Sequence, residues 1–454
     1  MRSFDLIVIG AGSGLNVSSA AAEIGMKVAV VEKGPMGGTC LNRGCIPSKI
    51  IIHSADVAEI ISNSSLFGIN SKISSIDFKK ITSRASSLVD KDSKKIEVAI
   101  TEDKNTTLFK KEAHFTGERT LKVGNETIKG EKIVIAAGTR PFVPEIEGLS
   151  EVDYITSDEA LRLRKQPKTL TILGGGYIAA ELAHFYGALG TKINIVQRNV
   201  LLVPNEDKEI AKKFTEIFRE KYNVLTGFNA TKVSKKKGKF IVAAESKKSK
   251  KKIVSAQLLV AVGRIPNTDI LKVENANVQT DDKGFVKTND YLETTAKNIW
   301  ALGDIAGKFL FKHSANLESQ YVYHNAVLNK KIKVDYSAMP HAVFSSPQIA
   351  GVGFKEEELL KAKKFNYVKG YYKYINSGMG LALQDNEGFV KIMADRKTRK
   401  ILGCHIIGTG ASTLIHEVIV AMKNNLSADG IKNSIHVHPS LSEVVQRAVN
   451  NINW

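Results

Sequence analysis

Short apolar runs alternate with helical stretches along this chain, and Gly-rich turns separate them. Phe4–Ile9 and Lys27–Val31 have the composition of buried parallel strands, and an Ala-rich stretch that ends near Gly25 lies between them. The same order recurs where Thr169–Leu173 and Lys192–Val196 flank a second helical stretch. Such alternation is typical of βαβ units, so we predict an α/β fold with two parallel sheets.

Closely spaced glycines follow the first strand of each unit. The first loop contains Gly10, Gly12 and Gly14, and the second contains Gly174, Gly176 and Ala179. Glycines let the backbone approach a pyrophosphate at a helix N-terminus, and an acid at the end of the second strand accepts a hydrogen bond from ribose. Glu32 stands at that place in the first unit, although Leu15 replaces the usual third glycine. Two such units predict two Rossmann-like domains and two bound dinucleotides.

The pattern changes from about Asp335 onward. Ala342–Phe344, Phe389–Ile392 and Ile401–Ile407 predict antiparallel strands, and Ser412–Asn424 predicts a helix. No glycine loop of the nucleotide-binding type occurs in this part of the sequence. We therefore predict a C-terminal α+β domain that differs from the two preceding domains.

Composition narrows the class of protein. A chain of 454 residues with 43% hydrophobic and 24% charged residues is typical of a globular protein with two to three domains. No apolar run reaches the ~20 residues of a membrane helix and no export signal is evident, so we expect a cytoplasmic protein that spans no membrane. The net charge of +19 includes the runs Lys235–Lys237 and Lys247–Lys252, which lack interleaved aromatic residues. We interpret these runs as solvated surface and expect no nucleic-acid partner.

Two of the three cysteines, Cys40 and Cys45, lie in the stretch Gly37–Lys49. Their spacing is close to one helical turn, which would place both sulfurs on one side of a helix within bonding reach. A structural disulfide or two buried thiols would also be compatible with the spacing alone. Only Cys404 could join them at a metal, so we predict no metal site. The preceding nucleotide-binding unit favours a redox-active pair, beside which Lys49 would place a positive charge.

The segment Cys-Leu-Asn-Arg-Gly-Cys-Ile-Pro-Ser-Lys at 40–49 closely resembles the redox-active disulfide of class I FAD-dependent pyridine-nucleotide disulfide oxidoreductases. That family includes dihydrolipoamide dehydrogenase, mycothione reductase and glutathione reductase. The resemblance implies an FAD-binding domain at 1–145, an NAD(P)-binding domain at 146–265, a return to the FAD or central domain at 266–334 and a dimer-interface domain at 335–454. The segments Ile133–Pro141, Val260–Asn267 and Asn298–Asp304 carry the same likeness.

The resemblance also implies roles for individual residues. At FAD it places Gly10, Gly12, Gly14, Glu32, Gly38, Thr39, Lys49, Gly138, Asp304 and Ala315, and at the nicotinamide nucleotide Gly174, Gly176, Tyr177, Ala179, Arg198 and Gly263. Tyr177 would cover the nicotinamide pocket, and Glu181 would pair with Lys49. His438 and Glu443 match the His-Pro-x-x-x-Glu dyad that reaches the disulfide of the other subunit. A homodimer with twofold symmetry is the expected assembly.

The end of the second strand in the NAD(P) unit predicts which nicotinamide nucleotide is used. Gln197 stands where dihydrolipoamide dehydrogenases have Glu, and Arg198 stands where glutathione and mycothione reductases carry Arg. An acid accepts hydrogen bonds from the 2′-hydroxyl of NADH, whereas Arg binds the 2′-phosphate of NADPH. We therefore expect NADPH, with NADH as the alternative.

These features predict an enzyme that passes electrons from NADPH through FAD and the Cys40–Cys45 disulfide to a small-molecule disulfide. Cys45 would be the thiolate beside the flavin, Cys40 the thiol that exchanges with substrate, and His438 the proton donor. The alternative is dihydrolipoamide dehydrogenase, the NAD-linked component of 2-oxoacid dehydrogenase complexes, because the cysteine segment looks most like that enzyme. An NAD(P)H oxidase-like flavoprotein is disfavoured, because such enzymes work with a single reactive cysteine.

Overall fold

The N-terminal part of the chain forms a mixed sheet with a parallel core. The structure is a computed structural model that describes residues 1–454. Up to Pro141 the elements are β1 (Arg2–Ile9), α1 (Gly14–Glu23), β2 (Val28–Val31), α2 (Gly38–Arg43), α3 (Cys45–Asn63), α4 (Phe78–Glu102), β3 (Thr106–Phe109), β4 (Ala113–Gly117), β5 (Thr120–Val123), β6 (Glu126–Ile135) and β7 (Thr139–Pro141). Strands β3, β2, β1 and β6 are parallel, and β5 and β4 continue the sheet in antiparallel order. All four residues of β2 are buried, as expected for a strand with covered faces.

A second parallel sheet follows. The next elements are α5 (Ser157–Ala160), β8 (Thr169–Leu173), α6 (Tyr177–Ala188), β9 (Lys192–Gln197), α7 (Lys208–Lys221), β10 (Asn223–Thr226), β11 (Asn229–Lys236), β12 (Lys239–Glu245), β13 (Lys250–Ser255), β14 (Gln257–Val260), β15 (Arg264–Pro266) and α8 (Thr268–Leu271). The parallel sheet has the order β10-β9-β8-β14, and β11, β12 and β13 form a separate antiparallel sheet. The basic run at 247–252 lies at exposed positions before and within β13.

The chain then returns to the first sheet before it forms the third. The remaining elements are β16 (Ile299–Ala301), α9 (Lys312–Val322), β17 (Pro340–Val343), β18 (Gln348–Gly353), α10 (Glu356–Ala362), β19 (Tyr367–Lys373), α11 (Gly378–Ala382), β20 (Phe389–Asp395), β21 (Ile401–Gly408), α12 (Ala411–Lys423), α13 (Ala428–Lys432) and α14 (Glu443–Asn450). Strand β16 pairs in parallel with β6, and β17-β18-β21-β20-β19 form an antiparallel sheet.

The predicted α/β class with a C-terminal antiparallel domain is confirmed, but one local prediction is wrong. Cys40 and Cys45 do not share a helix, because α2 ends at Arg43 and α3 begins at Cys45. Gly44 separates the two helices, and a Cβ there would lie 3.0 Å from the carbonyl oxygen of Thr39. A side chain at this position would crowd the turn that brings the cysteines together. No helix is both long and apolar enough to cross a membrane.

A buried ion cluster joins the second parallel sheet region to the C-terminal sheet. The Lys391 side chain on β20 is 1% exposed, and its Nζ lies 2.6 Å from Oδ1 of Asp207, 3.1 Å from Glu209 and 3.0 Å from Glu356. Asp207 is fully buried and also caps α7, where it accepts a hydrogen bond from the backbone N–H of Glu209. Charges removed from water require partners, so this cluster holds the two regions in one relative position.

We predict that Lys391→Met destabilises the folded protein by about 3 kcal/mol, because the substitution leaves the buried Asp207 carboxylate without its cation. Thermal unfolding of the purified protein with its cofactor would measure the loss as a lower Tm. Lys369→Met is the matched control, since Lys369 pairs with the same Glu356 but is 48% exposed, and we expect a change below about 1 kcal/mol. Equal Tm values for the two variants would contradict the assigned importance of the buried cluster.

Candidate active site

The two glycine loops have the same backbone geometry. Gly10 and Gly174 both adopt left-handed conformations, with φ of +106° and +108°. A Cβ at either position would overlap a carbonyl oxygen, that of Ala136 or that of Ala261. The Gly10 N–H donates to Val31 at 2.8 Å, and the Gly174 N–H makes the equivalent bond at 2.9 Å. Each loop therefore turns sharply from a strand into a helix and leaves backbone exposed for close approach by a phosphate.

The first loop packs directly on the turn before Cys40. A Cβ on Gly38 would lie 2.7 Å from the Cα of Gly12, so this close approach depends on the absence of a side chain at position 38. Glu32 extends toward the same loop, and its carboxylate accepts hydrogen bonds from the N–H groups of Ala11 at 2.9 Å and Gly34 at 2.7 Å. These bonds hold the carboxylate beside the loop, where it can accept a bond from a ribose hydroxyl. Gly14 begins α1, and a Cβ there would crowd Val8 on β1.

A partly buried carboxylate, that of Asp304, follows β16. Oδ2 of Asp304 accepts a hydrogen bond from the hydroxyl of Thr139 at 2.9 Å. Burial raises the pKa of Asp304 above its usual range, in spite of that bond and the nearby Arg264. Gly138 precedes Thr139 with φ of +62°, and Ala315 is buried on α9. A recessed carboxylate beside open backbone fits a ligand rich in hydroxyl groups, such as the ribityl chain of FAD.

Cys40 and Cys45 face each other with unequal affinities for protons. The hydrogen-bonding interaction between the two cysteine side chains lowers the pKa of Cys45 to about 7 against the opposing effect of burial, and the charge of Lys49 lowers it further. The same bond and burial raise the pKa of Cys40, although Lys312 opposes the shift. All three cysteines are free thiols in this structure. The directions of these two pKa shifts favour a thiolate at Cys45 and a protonated thiol at Cys40.

Lys49 lies one turn beyond Cys45 on α3 and pairs with Glu181 on α6. Its Nζ is 2.9 Å and 2.8 Å from the two carboxylate oxygens. Glu181 also accepts a hydrogen bond from the backbone N–H of Phe344 at 3.1 Å, and Lys49 Nζ lies 4.4 Å from the centre of the Phe344 ring. Tyr177 precedes Glu181 by four residues on α6, so both side chains belong to the same helix face. The second glycine loop is thereby placed next to the thiol pair.

The second nucleotide loop ends beside an exposed cation. Gln197 ends β9 and is buried, and a Cβ on Gly175 would lie 3.0 Å from its Cγ. Arg198 is exposed and makes no ion pair or hydrogen bond through its side chain. Gly176 caps α6, Ala179 is buried in its first turn, and Gly263 has φ of +142°. The guanidinium of Arg198 is free to meet a ligand at this edge.

Sequence reasoning missed Glu206, His341 and Lys312. The hydroxyl of Tyr177 donates to Oε1 of the buried Glu206, and Nε2 of His341 donates to Oε2 at 2.8 Å. Lys312 begins α9 and donates to the hydroxyl of Ser13 at 2.8 Å. Nothing in the sequence marks these residues, because their contacts join segments that are far apart in the chain. A glutamate between a proline and a helix has the composition of any polar loop.

His438 and Glu443 form a dyad outside the region of the cysteines. Nδ1 of His438 lies 3.1 Å and 3.2 Å from the carboxylate oxygens of Glu443. That hydrogen bond, together with one from the backbone N–H of Ser440, lowers the pKa of Glu443. His438 is 74% exposed and makes no hydrogen bond to Cys40 or Cys45 of its own chain. The neighbouring His436 instead pairs with Glu417 at 2.9 Å. The dyad thus leaves Nε2 of His438 exposed at the surface of the chain.

Known proteins are similar to this chain in sequence and in fold over nearly its whole length. Residues 4–371 match the family described as pyridine nucleotide-disulphide oxidoreductase, and residues 339–449 match its dimerisation domain. Mycothione reductase of Mycobacterium tuberculosis is 34% identical over 461 residues, which cover 99% of each chain. Dihydrolipoyl dehydrogenase of Bacillus subtilis is 32% identical over 452 residues, which cover 98% of this chain and 95% of the relative.

A solved structure of a flavoprotein disulfide reductase has a similar fold. The Cu(II) complex of the HOCl-induced flavoprotein disulfide reductase RclA from Escherichia coli superposes with a TM-score of 0.88 at 27% identity, with 99% of both chains covered. The paired glycine loops and the close thiol pair are those expected of such an enzyme. The chain therefore belongs to the pyridine nucleotide-disulphide oxidoreductases, and it is a flavoprotein disulfide oxidoreductase that uses FAD and NAD(P)H.

Proposed function

We propose that this protein passes electrons from NADPH through FAD and the Cys40–Cys45 pair to a small-molecule disulfide. The observation that carries the proposal is the pair of free thiols, Cys40 and Cys45, carried by two helices that the turn at Gly44 joins. It lies between two dinucleotide-type loops and beside the Lys49–Glu181 ion pair. A reductase needs such a pair, because one sulfur must be stable as a thiolate while the other exchanges with substrate.

The residues of the first unit would hold FAD, and those of the second would hold the nicotinamide nucleotide. Bound FAD supplies the step that takes a hydride from the nicotinamide and delivers an electron pair to the disulfide. Glu32 and Asp304 are the carboxylates available to its hydroxyl groups, and the loop at 10–14 is open to its pyrophosphate. Lys49, held by Glu181, stabilises negative charge at Cys45.

The thiol chemistry then balances as an exchange of two disulfides. The Cys40 thiolate attacks one sulfur of the substrate, so a mixed disulfide forms and one substrate thiol departs. The Cys45 thiolate attacks the sulfur of Cys40, which releases the second thiol and restores the Cys40–Cys45 bond. One NADPH, one proton and one disulfide thus give NADP⁺ and two thiols. The two departing thiolates require protons, which His438 is suited to supply.

We propose that His438 acts on the thiol pair of a second subunit. The raised pKa of Cys40 means that this thiol needs a base before it can attack, and no histidine is hydrogen-bonded to it within the chain. His438 has its Nδ1 held by Glu443, which favours the tautomer with Nε2 free to accept a proton. Ile435 and Val437 beside it are 100% and 77% exposed, as expected of apolar side chains that another subunit covers. A symmetric homodimer would meet both needs.

NADPH preference is supported by the charges at the end of β9. A buried neutral amide, Gln197, stands where an acid would repel a 2′-phosphate, and the unpaired guanidinium of Arg198 follows it. Arg binds phosphate through paired, charge-assisted hydrogen bonds. The substrate itself is proposed only as a class, because relatives of nearly equal identity are named for mycothione and for dihydrolipoyl groups. The net charge of +19 would attract acidic disulfides in preference to basic ones.

Anaerobic reduction of the purified flavoprotein by NADPH and by NADH, in parallel, tests the proposal. Faster reduction by NADPH, followed by reoxidation with a low-molecular-weight disulfide, is the expected result. Better reduction by NADH together with turnover of dihydrolipoamide would overturn it and favour the alternative activity, dihydrolipoamide dehydrogenase. Cys40→Ser should retain flavin reduction and lose disulfide turnover.

The first prediction from this scheme concerns the reactivity of Cys45. In the reduced protein we expect alkylation by iodoacetamide to be half-maximal near the Cys45 pKa of about 7, and to slow as the pH falls below it, because only the thiolate reacts. Mass spectrometry would assign the modified residue. Cys45→Ser is the control that should remove this phase, whereas a midpoint near about 8.5, the value of an ordinary thiol, would contradict the assignment.

The second prediction concerns Arg198. We expect Arg198→Ala to weaken NADPH binding about tenfold or more and to leave NADH binding nearly unchanged, because only NADPH carries the phosphate. Stopped-flow reduction at several nucleotide concentrations would give both constants. Lys192→Ala removes a similar exposed charge from the opposite end of β9 and serves as the matched control. Equal losses for the two variants would indicate general electrostatic attraction in place of a specific site.

The third prediction concerns the subunit origin of His438. His438→Ala and Cys40→Ser homodimers should each be inactive as disulfide reductases. After the two are unfolded and refolded together, random pairing should restore about a quarter of wild-type activity, because half of the dimers are mixed and each mixed dimer has one intact site. Refolding each variant alone is the control. Absence of recovery in a mixture that demonstrably contains heterodimers would place the complete site within one chain.

A further inference from the structure

A buried carboxylate holds the tyrosine of the second nucleotide loop. Glu206 lies in the segment between β9 and α7, and its side chain is fully buried. Its two oxygens take different donors, the hydroxyl of Tyr177 and Nε2 of His341 at 2.8 Å. Burial alone would raise the pKa of Glu206, but these hydrogen bonds hold it below the usual range. The carboxylate is therefore ionised, and both of its bonds are charge-assisted.

The ring of Tyr177 also lies beside two other aromatic rings. It lies nearly parallel to the ring of Phe311, with centroids 6.2 Å apart and planes 17° apart, and to that of His341 at 6.4 Å and 14°. Phe311 immediately precedes α9, and His341 belongs to β17 of the C-terminal sheet. Three separate regions of the chain thus converge on one tyrosine side chain.

The segment that carries Glu206 is itself anchored. The adjacent Asp207 pairs with the buried Lys391 at 2.6 Å and accepts a hydrogen bond from the backbone N–H of Glu356 at 3.1 Å. Lys355 donates to the carbonyl oxygen of Asn205 at 3.3 Å. The backbone on both sides of Glu206 is therefore held in place, so a large displacement of Tyr177 would break its bond to Glu206.

We infer that Glu206, oriented by His341, is a latch that keeps Tyr177 closed over the nicotinamide pocket and weakens nucleotide binding until the latch opens. The inference rests on the proposed role of Tyr177 as the cover of that pocket. The tyrosine shares a helix face with Glu181, whose carboxylate holds Lys49 beside Cys45, so it stands next to the site of electron transfer. A side chain that covers a pocket must leave before a ring can enter. Nucleotide binding consequently competes with the hydrogen bond to Glu206.

The competition has a measurable consequence. When only the open state binds ligand, the apparent affinity falls by the fraction of molecules that are open. Loss of the latch should therefore lower the apparent Kd for the nucleotide, a change that is measured separately from the limiting rate of flavin reduction. Glu206 and His341 are positioning residues in this scheme, because they act through Tyr177.

Anaerobic stopped-flow reduction by NADPH tests the latch, with Kd and the limiting rate determined separately. We expect Tyr177→Phe, which removes one oxygen and keeps the ring, to lower Kd about tenfold, because the lost bond was to a charged group. Glu206→Gln should lower Kd in the same direction, and so should His341→Phe, which retains a ring but no donor. Adding Glu206→Gln to Tyr177→Phe should change nothing further.

Tyr186→Phe is the matched control. Tyr186 lies on the same helix, and its buried hydroxyl donates to the carbonyl oxygen of Ala160 at 2.5 Å, so its loss removes a comparable bond away from the pocket. An unchanged or higher Kd for Tyr177→Phe, or additive effects of the two substitutions, would overturn the latch. If Glu206→Gln fails to fold, the Kd of Tyr177→Phe still tests the latch.

The same experiment separates the latch from the proposed nucleotide preference. Reduction by NADH in place of NADPH would refute the preference assigned to Arg198. The latch would then be measured with NADH, and a lowered Kd in Tyr177→Phe would still support it. If neither nucleotide reduces the flavin, both the proposed function and the latch are refuted.

Discussion

The ion pair between Lys49 and Glu181 is the contact on which the rest of the site depends. It joins the helix that begins at Cys45 to the helix that follows the second glycine loop, and Glu181 also accepts a bond from Phe344 beside the C-terminal sheet. An unpaired charge at a half-buried position would destabilise the folded protein. The ion pair therefore holds the two helices and the edge of the sheet together at this point. The positive charge that helps to keep Cys45 as a thiolate is placed by the same contact.

Around this pair the fold contains the same glycine turn twice. Gly10 and Gly174 turn in the same left-handed conformation, and in each case the carbonyl oxygen of the residue that follows a neighbouring strand occupies the space where a Cβ would lie. The repetition explains why one chain can place two dinucleotides toward a common centre. The differences between the units lie at the ends of their second strands. Glu32 accepts backbone bonds in the first unit, and Gln197 with the exposed Arg198 replaces the acid in the second.

The two ends of the catalytic machinery differ in how they are supported. Tyr177 and Glu206 are held by contacts within the chain, whereas His438 is exposed and engages only Glu443. Apolar neighbours of His438 are exposed as well. A family match to a dimerisation domain at 339–449 accords with a surface of this kind. In the proposed scheme, the electron-entry side would lie within one chain and a second subunit would complete the substrate side.

The sequence by itself determined the class of fold, the two glycine loops and the cysteine segment. Those features depend on local rules, because glycine conformations, strand periodicity and the identity of neighbouring residues act within a few positions of the chain. The spacing of Cys40 and Cys45 suggested that both lie on one helix, but Gly44 separates two helices at this point. The family resemblance implied that Lys49 pairs with Glu181 and His438 with Glu443, but only the tertiary structure decided the other buried polar contacts. The partnership of Tyr177 with Glu206 and His341, and the burial of Lys391 against Asp207, join residues from separate segments, and their energies arise from removal of water that no single segment achieves.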